Sequence, residues 1–185
     1  MTFYISDLHF GHKNVLGLDN RPFTTIEEHD EFIIKEWNEA VGKNDDVWML
    51  GDMSWYSSKK TAEILQRLNG RKHLCIGNHD KKLIKSADVQ QQFVEIVDYK
   101  EISFRDGTGV VLCHYPIPCY NKHFYGWYHL YGHVHSTFEW RMMVEVQNKM
   151  REVHNAKSQM YNVGCMMTYM KYRPRTLEEI LEANN

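Results

Sequence analysis

Apolar runs of strand length recur along the chain, separated by glycine and polar turn residues. The runs rich in β-branched and aromatic residues predict strands, and their sequences are TFYIS, DVWML, HLCIG, KEISF, GVVLC, WYHLY and MYNVG. Apolar positions spaced three and four apart predict two helices between the first and third of these strands, over residues 24–42 and 57–70. The first half therefore alternates strand and helix, as α/β proteins do.

The later strands follow one another more closely than the early ones. The sequence RDGTG at 105–109 predicts a hairpin turn, so we expect neighbouring and largely antiparallel strands in this half. Thr176 and Glu179 have the spacing of a capping box and predict a short closing helix. The whole pattern predicts a mixed α/β sandwich formed by a single domain over residues 1–185.

Residues 136–160 have a helical pattern of their own. Met143, Val146, Met150 and Val153 are spaced three and four apart, like one face of a helix. We expect an ordinary amphipathic helix that packs on its own domain through this face. The alternative is a helical insertion that contacts a second copy of the chain or caps the active site.

The charge balance argues against a protein with a strongly basic binding surface. Lysine and arginine total 22 against 24 aspartate and glutamate residues, and the net charge is −2. Nucleic acid is therefore a possible partner that the charge does not indicate, and an anionic membrane is not expected. The cysteines form no C-x-x-C pair, and the sequence contains neither a signal peptide nor an apolar run of membrane-spanning length. We expect a soluble, cytoplasmic protein.

Side chains with oxygen or nitrogen ligand atoms follow five of the predicted strands. Asp7 and His9 are two residues apart at the end of the first strand, and we expect them to point to one side because side chains alternate along a strand. His133 and His135 repeat this spacing at a later strand. The others, Asp52, Asn78 and His114, each stand just past a strand end. The carboxyl ends of strands are where open α/β sheets bind ligands.

These seven side chains are too many for one four-coordinate ion and suit two ions. Each alone has an ordinary structural explanation, such as a helix cap, a turn residue or a polar group at a sheet edge. Their recurrence at five strand ends favours metal binding over five unrelated structural roles. The 11 histidines of the chain, unusually many, agree with metal or acid-base chemistry.

The motifs Asp7-Leu8-His9, Gly51-Asp52, Gly77-Asn78-His79-Asp80, His114 and Gly132-His133-Val134-His135 match, in order and type, those of a known family. In them the chain resembles the calcineurin-like metallophosphoesterases. The resemblance implies an α/β four-layer sandwich of two mixed β-sheets flanked by helices. It also implies a metal-dependent hydrolase that cleaves phosphomonoester or phosphodiester bonds with a hydroxide bridging two ions.

The same resemblance implies which residues bind each ion. One ion would be bound by Asp7, His9, Asp52 and His135, and the other by Asp52, Asn78, His114 and His133. Two divalent ions about 3.5–4 Å apart repel each other, and a carboxylate with two oxygens is suited to bridge them. The ligand types suit Mn²⁺ foremost, with Fe, Ni or Zn as alternatives.

Four further residues complete the predicted site. His79 follows a predicted ligand and should face the substrate, where it could stabilise the phosphoryl oxygens or protonate the leaving group, with Asp80 orienting its ring. The resemblance gives the histidine at this position the same role. His12 and Arg21 resemble residues that accompany one branch of the family, and Arg21 could pair with a phosphate.

Two other functions remain open from the sequence alone. A mononuclear iron oxygenase could use Asp7, His9 and a distal histidine, although this leaves the other predicted ligands without a role. A non-catalytic interaction scaffold could share the fold, although such a protein should have lost ligands. For an enzyme, the expected partner is a phosphorylated small molecule or a nucleotide, and the sequence does not determine whether the chain forms a homo-oligomer.

Overall fold

Strands and helices alternate from the start of the chain in the computed structural model, which describes residues 1–154 and 158–184. The strands are β1 (Thr2–Ile5), β2 (Asp46–Met49), β3 (Arg71–Cys75), β4 (Phe93–Val97), β5 (Tyr99–Ser103), β6 (Gly109–Cys113), β7 (Tyr128–Tyr131), β8 (Met160–Asn162) and β9 (Arg175–Thr176). The α-helices are α1 (Val15–Leu18), α2 (Ile26–Ala40), α3 (Ser58–Arg67), α4 (Ala87–Gln90), α5 (Phe138–His154) and α6 (Leu177–Glu182). Short 3₁₀ helices cover Asp80–Lys85 and His123–Tyr125.

The first sheet brings the carboxyl ends of four parallel strands to one edge. Its strand order is β4-β3-β2-β1-β9, and β9 runs antiparallel to β1. The chain leaves β1, β2 and β3 at this edge shortly before Asp7, Asp52 and Asn78. The topology of this sheet therefore places three of the predicted ligands side by side.

The second sheet has the order β5-β6-β7-β8. Strands β5 and β6 form an antiparallel hairpin with Ser103 opposite Gly109, which confirms the predicted turn. The expectation of largely antiparallel strands is wrong for the rest, because β6, β7 and β8 are parallel. Residues 114–127 and helix α5 are long enough for the crossovers that parallel neighbours need. Both sheets are mixed and flanked by helices, so the predicted fold class is confirmed.

The two sheets enclose one buried core and meet at their carboxyl ends. Core side chains come from both sheets, among them Ile5 and Leu74 of the first and Leu112 of the second. An isolated bridge joins Ser6, just past β1, to Gly164, just past β8. Since the bridge lies where both strands end, the loops that leave the two sheets converge on one region.

Two helix starts follow from their capping residues. The Thr176 side chain accepts from the Glu179 amide and the Glu179 carboxylate accepts from the Thr176 amide, so both halves of the predicted capping box are present. At α2, Thr25 Oγ1 accepts from the Glu28 amide, but the Glu28 carboxylate accepts from the amide of Thr24. Helix α2 therefore begins at Ile26, within the predicted range of 24–42, with a shifted version of the capping box.

Helix α5 packs on its own chain, but only partly through the predicted face. Gln147 is buried and its amide donates to the Ser158 carbonyl at 3.1 Å, and Trp140 packs against the core. Of the predicted apolar row, Val153 is 58% exposed and the three other residues are half-buried. Neither α5 nor any other helix in the described residues is both long and apolar enough to cross a membrane. A role of α5 as a cap or dimer contact stays a prediction.

His129 is a fully buried histidine with a structural role in the second sheet. Its Nδ1 lies 3.0 Å from the Val111 carbonyl oxygen, and its Nε2 accepts from the Ile117 amide at 3.0 Å. This pattern needs the neutral ring, with the proton on Nδ1. Burial lowers the pKa of His129 from its ordinary value of 6.5 to about 4.

This buried ring predicts a loss of stability in mild acid. Below pH 6.5 the unfolded chain binds a proton at His129 that the folded chain does not bind until about pH 4. The free energy of unfolding should therefore fall by about 2 kcal/mol from this group alone between pH 7 and pH 5. Denaturant titrations at several pH values should show that the free energy of unfolding falls more steeply with decreasing pH in the wild type than in His129→Gln. Parallel pH profiles of the two proteins would contradict it.

Candidate metal centre

The predicted ligands form two neighbouring groups where the strands of both sheets end. Asp7, His9 and His135 each offer a ligand atom within 4.8 Å of the other two. The three residues Asp52, His114 and His133 form a second such group, also within 4.8 Å. Each group combines loops from both sheets, so folding is required to assemble either one.

In the first group, the ligand atoms have spacings close to those that a shared ion would give. His9 Nε2 lies 3.1 Å from His135 Nε2, and His135 Nε2 lies 3.7 Å from Asp7 Oδ1. An ion bound at about 2.0–2.2 Å by nitrogen and oxygen separates its ligands by roughly 3–3.5 Å. Burial lowers the pKa of His9 well below its ordinary value, which keeps this imidazole in the neutral form that binds metals.

In the second group, Asn78 supplies the central oxygen. Its Oδ1 lies 2.9 Å from His114 Nε2 and 3.0 Å from His133 Nδ1. His114 Nδ1 lies 2.7 Å from the Leu50 carbonyl oxygen, to which it donates when Nε2 is kept as the ligand atom. The amide oxygen and the two ring nitrogens thus point at one another as ligands of a single cation would.

Asp52 belongs to the second group, but its carboxylate also faces the first. Its Oδ2 is 3.9 Å from His9 Nε2, and its Oδ1 is 3.7 Å from His114 Nε2. Burial raises the pKa of Asp52 to about 6, and the nearby carboxylate of Asp7 also raises it. A cation beside this buried carboxylate would favour its ionised form.

Five of the seven predicted ligands have a left-handed backbone. They are Asp7 (φ 55°), His9 (φ 53°), Asp52 (φ 55°), His133 (φ 70°) and His135 (φ 47°). The expectation that side-chain alternation along a strand aligns Asp7 with His9 is therefore wrong. Both residues lie in the loop beyond β1, where the strand pattern does not apply. Non-glycine residues in this conformation cost roughly 1–2 kcal/mol each and cluster at functional sites. Asp and His adopt this conformation more often than most residues, and the clustering of five such residues makes the region a candidate functional site.

Two glycines let the loops approach closely enough to form the groups. A Cβ on Gly132 would lie 2.6 Å from Asp7 Oδ2, and a Cβ on Gly77 would lie 2.3 Å from Asp52 Oδ1. Both distances are far inside van der Waals contact. Any larger residue at either position would displace a predicted ligand.

Asp19 supports His135 and was not identified from the sequence. Both carboxylate oxygens of Asp19 lie 2.8 Å from His135 Nδ1, which leaves Nε2 free to bind an ion. Burial opposes the charged form of His135, but the hydrogen bond to Asp19 and the negative charges of Asp7 and Asp19 together outweigh it and raise the pKa of His135. Asp19 follows helix α1 and has no motif spacing, so only the folded structure relates it to His135.

Arg21 is a support for the site and not a phosphate contact, which corrects the prediction from the sequence. Its side chain is buried and donates to the Asp19 carboxylate at 2.8 and 3.0 Å. It also donates to the carbonyl oxygens of Asp7 at 3.0 Å and Leu8 at 3.2 Å. A guanidinium enclosed in this way cannot reach a substrate, and it holds the strained backbone around Asp7 instead.

The Arg21 network extends to helix α2. Arg21 donates to His29 Nε2 at 2.9 Å, and His29 Nδ1 lies 2.8 Å from Asp30 Oδ1. Asp30 Oδ2 accepts from the Gly11 amide at 3.0 Å. Burial lowers the pKa of His29, as its role of accepting from Arg21 requires. A chain of buried hydrogen bonds thus connects α2 to His135.

His12 lies at the site as predicted and packs against Trp55. Trp55 was not identified from the sequence. The His12 and Trp55 rings are parallel to within 4° with centroids 4.1 Å apart. His12 Nδ1 lies 3.2 Å from His9 Nδ1, and Trp55 also stacks on His9 at 4.6 Å. His12 is half-buried, so part of its ring stays open to a substrate.

His79 lies at the site as predicted, but Asp80 does not orient it. The carboxylate of Asp80 is buried and accepts from the amides of Asp52, Met53 and Gly77 at 2.8–3.0 Å. Among the hydrogen bonds of the described residues, none joins Asp80 to the His79 ring. That ring instead packs against Trp55, with centroids 4.4 Å apart, and its Nε2 lies 4.0 Å from Asp52 Oδ2. The side chain of His79 is 49% exposed, as a group that meets a substrate must be.

Comparison with known proteins agrees with this geometry. The family model for calcineurin-like phosphoesterases matches residues 2–166. An uncharacterized protein of Methanocaldococcus jannaschii is 30% identical over 182 residues, which cover 97% of this chain and 89% of that protein. The gene 66 protein of Mycobacterium phage D29 is 30% identical over 177 residues, which cover 83% of this chain and 85% of the phage protein. A crystal structure of a protein of unknown function from Aquifex aeolicus has a TM-score of 0.73 and 25% identity, over 99% of this chain and 98% of that one.

Asp19→Asn tests the support given to His135. An asparagine can accept from His135 Nδ1 but loses the charge that holds the imidazole and Arg21. We expect one of two metal equivalents to bind about 10–100-fold more weakly, while the other is unchanged. Calorimetric titration with Mn²⁺ measures both affinities, and the exposed Asp88 changed to Asn is the matched control. Wild-type affinity for both equivalents in Asp19→Asn would rule out this role.

Proposed function

The chain belongs to the calcineurin-like phosphoesterase family, and we propose that it hydrolyses phosphomonoester or phosphodiester bonds at a centre of two divalent metal ions. The observation that carries this proposal is the position of Asp52, whose two carboxylate oxygens face different groups of ligands. A single ion bound in one of these groups would leave the ligands of the other group without a role.

Each ion in this proposal takes four side chains. The first is bound by Asp7, His9, Asp52 and His135, and the second by Asp52, Asn78, His114 and His133. The donors are carboxylate and amide oxygens with neutral imidazole nitrogens, a mixture that fits Mn²⁺ and also Fe, Ni or Zn. We propose Mn²⁺ as the native ion because oxygen donors make up a large share of the set.

When bound, such ions lower the pKa of a coordinated water and offset the charge of the phosphoryl oxygens. The protein sets how much positive charge remains for that purpose. Two divalent ions carry four positive charges, and the carboxylates of Asp7 and Asp52 offset two of them. Asn78 is neutral, so it completes the second group without removing more of the charge that attracts a phosphate.

His79 is the proposed general acid. Its exposed ring lies beside Asp52 and is held against Trp55, which positions it to give a proton to the departing oxygen. Asp80, predicted as a second catalytic residue, acts in this proposal as a positioning residue that holds the loops of Asp52 and Gly77. His12 remains a proposed substrate contact because part of its ring is exposed beside Trp55.

Neither alternative function accounts for the geometry as well. An iron oxygenase with one ion at Asp7, His9 and His135 would leave Asn78 and its two ring partners without purpose. A scaffold without activity would have no use for the strained backbone at the ligands or for the exposed ring of His79. Metal content separates the first alternative from our proposal, and turnover separates the second.

Asp52→Asn tests the proposed shared carboxylate. An asparagine offers one good ligand oxygen and no charge, so it cannot hold two cations close together. We expect kcat/KM for bis(4-nitrophenyl) phosphate in Mn²⁺ to fall at least about 10³-fold, which corresponds to roughly 4 kcal/mol of transition-state stabilisation. The exposed Asp88 changed to Asn should retain wild-type turnover. Undiminished hydrolysis by Asp52→Asn would contradict the proposal.

His79→Ala tests the proposed proton donor. A nitrophenolate leaves readily without a proton, whereas the alkoxide of a nucleoside does not. We expect kcat for a dinucleotide to fall about 10²–10⁴-fold, and kcat for bis(4-nitrophenyl) phosphate to fall by less than about 10-fold. Lys81→Ala, an exposed neighbour in the sequence, is the control. Equal losses on both substrates would show that His79 does not protonate the leaving group.

A further inference from the structure

A cavity of about 360 Å³ borders the candidate metal centre on the side of His79. It is bounded by the end of the loop after β2, the start of helix α3 and the 3₁₀ helix Asp80–Lys85. The residues that line it include Trp55, Tyr56, Ser57, Ser58, His79 and Lys82. Because His79 is part of its wall, the cavity adjoins the place where a leaving group protonated by His79 would depart.

The wall of this cavity combines an aromatic surface with a free cation. Trp55 is 37% exposed, although its indole also contacts His9, His12 and His79. Lys82 is exposed and forms no ion pair with any acidic group among the described residues. None of the residues that line the cavity is acidic, so an anionic group would meet no repulsion there.

These features identify the kind of molecule that the cavity suits. An indole binds flat rings by stacking, and a lysine with no partner binds an anion. A volume near 360 Å³ lies at the low end of ligand cavities and accommodates one nucleotide, but not a large group. A phosphorylated sugar or an inorganic polyphosphate would use Lys82 but would offer no flat ring to the exposed part of the indole.

We propose that the cavity is a leaving-group subsite, and that the preferred substrate is a phosphodiester whose leaving group is a nucleotide. The base stacks on Trp55 and the phosphate of that nucleotide pairs with Lys82. This inference rests on the proposed function, since the subsite is defined by the bond that is cleaved. Water adds its oxygen to phosphorus, the P–O bond to the nucleotide breaks, and one proton of that water finally replaces the proton that His79 gives to the departing oxygen.

Product binding tests the subsite without relying on turnover. The probe is adenosine 5′-monophosphate, which carries the ring, the anionic group and a free 3′-hydroxyl in place of the leaving oxygen, and adenosine is the uncharged comparison. Binding is measured by calorimetry on the Mn²⁺-loaded protein in excess inorganic phosphate. The inorganic phosphate competes for the metal centre, so that the phosphate of the probe does not bind there. We expect the wild type to bind the monophosphate more tightly than adenosine.

The variants separate the two halves of the subsite. Trp55→Ala should weaken binding of both probes roughly 5- to 100-fold, and Trp55→Phe should recover much of the loss. Lys82→Ala should weaken only the monophosphate and bring its affinity close to that of adenosine. The control is Lys81→Ala, at the exposed position next to Lys82 in the sequence, which should bind both probes as the wild type does.

The outcomes distinguish the subsite from the function on which it rests. Equal binding of both probes by the wild type, or unchanged binding in Trp55→Ala and Lys82→Ala, would overturn the subsite even if bis(4-nitrophenyl) phosphate is hydrolysed. Selective binding lost in those variants supports the subsite. Failure of the wild type to hydrolyse any phosphodiester with any divalent metal would overturn the proposed function, and with it the assignment of the cavity to a leaving group.

Discussion

The buried carboxylate of Asp52 is the constraint around which the rest of the site is arranged. Its oxygens face His9 on one side and His114 on the other, and Oδ1 also accepts from the His79 amide at 3.0 Å. The backbone amide of Asp52 donates to Asp80, whose carboxylate also accepts from the loop after β3. Asp80 thereby joins the loops that follow β2 and β3, and it fixes the position of Asp52 without contact to a substrate.

A second set of buried contacts holds the site from the opposite side. Arg21 donates to the carbonyl oxygens of Asp7 and Leu8, where the backbone is left-handed, and its ion pair with Asp19 reaches His135. These hydrogen bonds offset the strain of the Asp7 backbone and hold two predicted ligands of the same group in place. Their continuation through His29 into helix α2 explains why an arginine so near the predicted metal ligands is buried.

Much of the fold followed from local patterns, and the exceptions have physical causes. Strand β4 was missed because Phe93–Val97 interrupts its apolar residues with Glu95 and is only half-buried at a sheet edge. The parallel arrangement of β6, β7 and β8 was missed because periodicity gives the presence of strands and not their direction. For α5, the apolar spacing predicted the helix correctly, while Trp140 and Gln147 determined which face packs inward.

At the site, the sequence predicted the side chains that converge and missed those that position them. The predicted ligands follow strands of both sheets that end in one region, so residue type and position after a strand were enough to predict that they converge. Asp19 and Trp55 reach the centre from loops with no periodic signal. Arg21 and Asp80 were noticed but given the wrong contacts, because burial and hydrogen-bond partners depend on packing between distant segments.

Anomalous diffraction from crystals grown with Mn²⁺ tests the central claim most directly. Our account predicts two peaks of similar height about 3.5–4 Å apart, with one oxygen of Asp52 bound to each ion. One peak, or two peaks too far apart to share the Asp52 carboxylate, would contradict it.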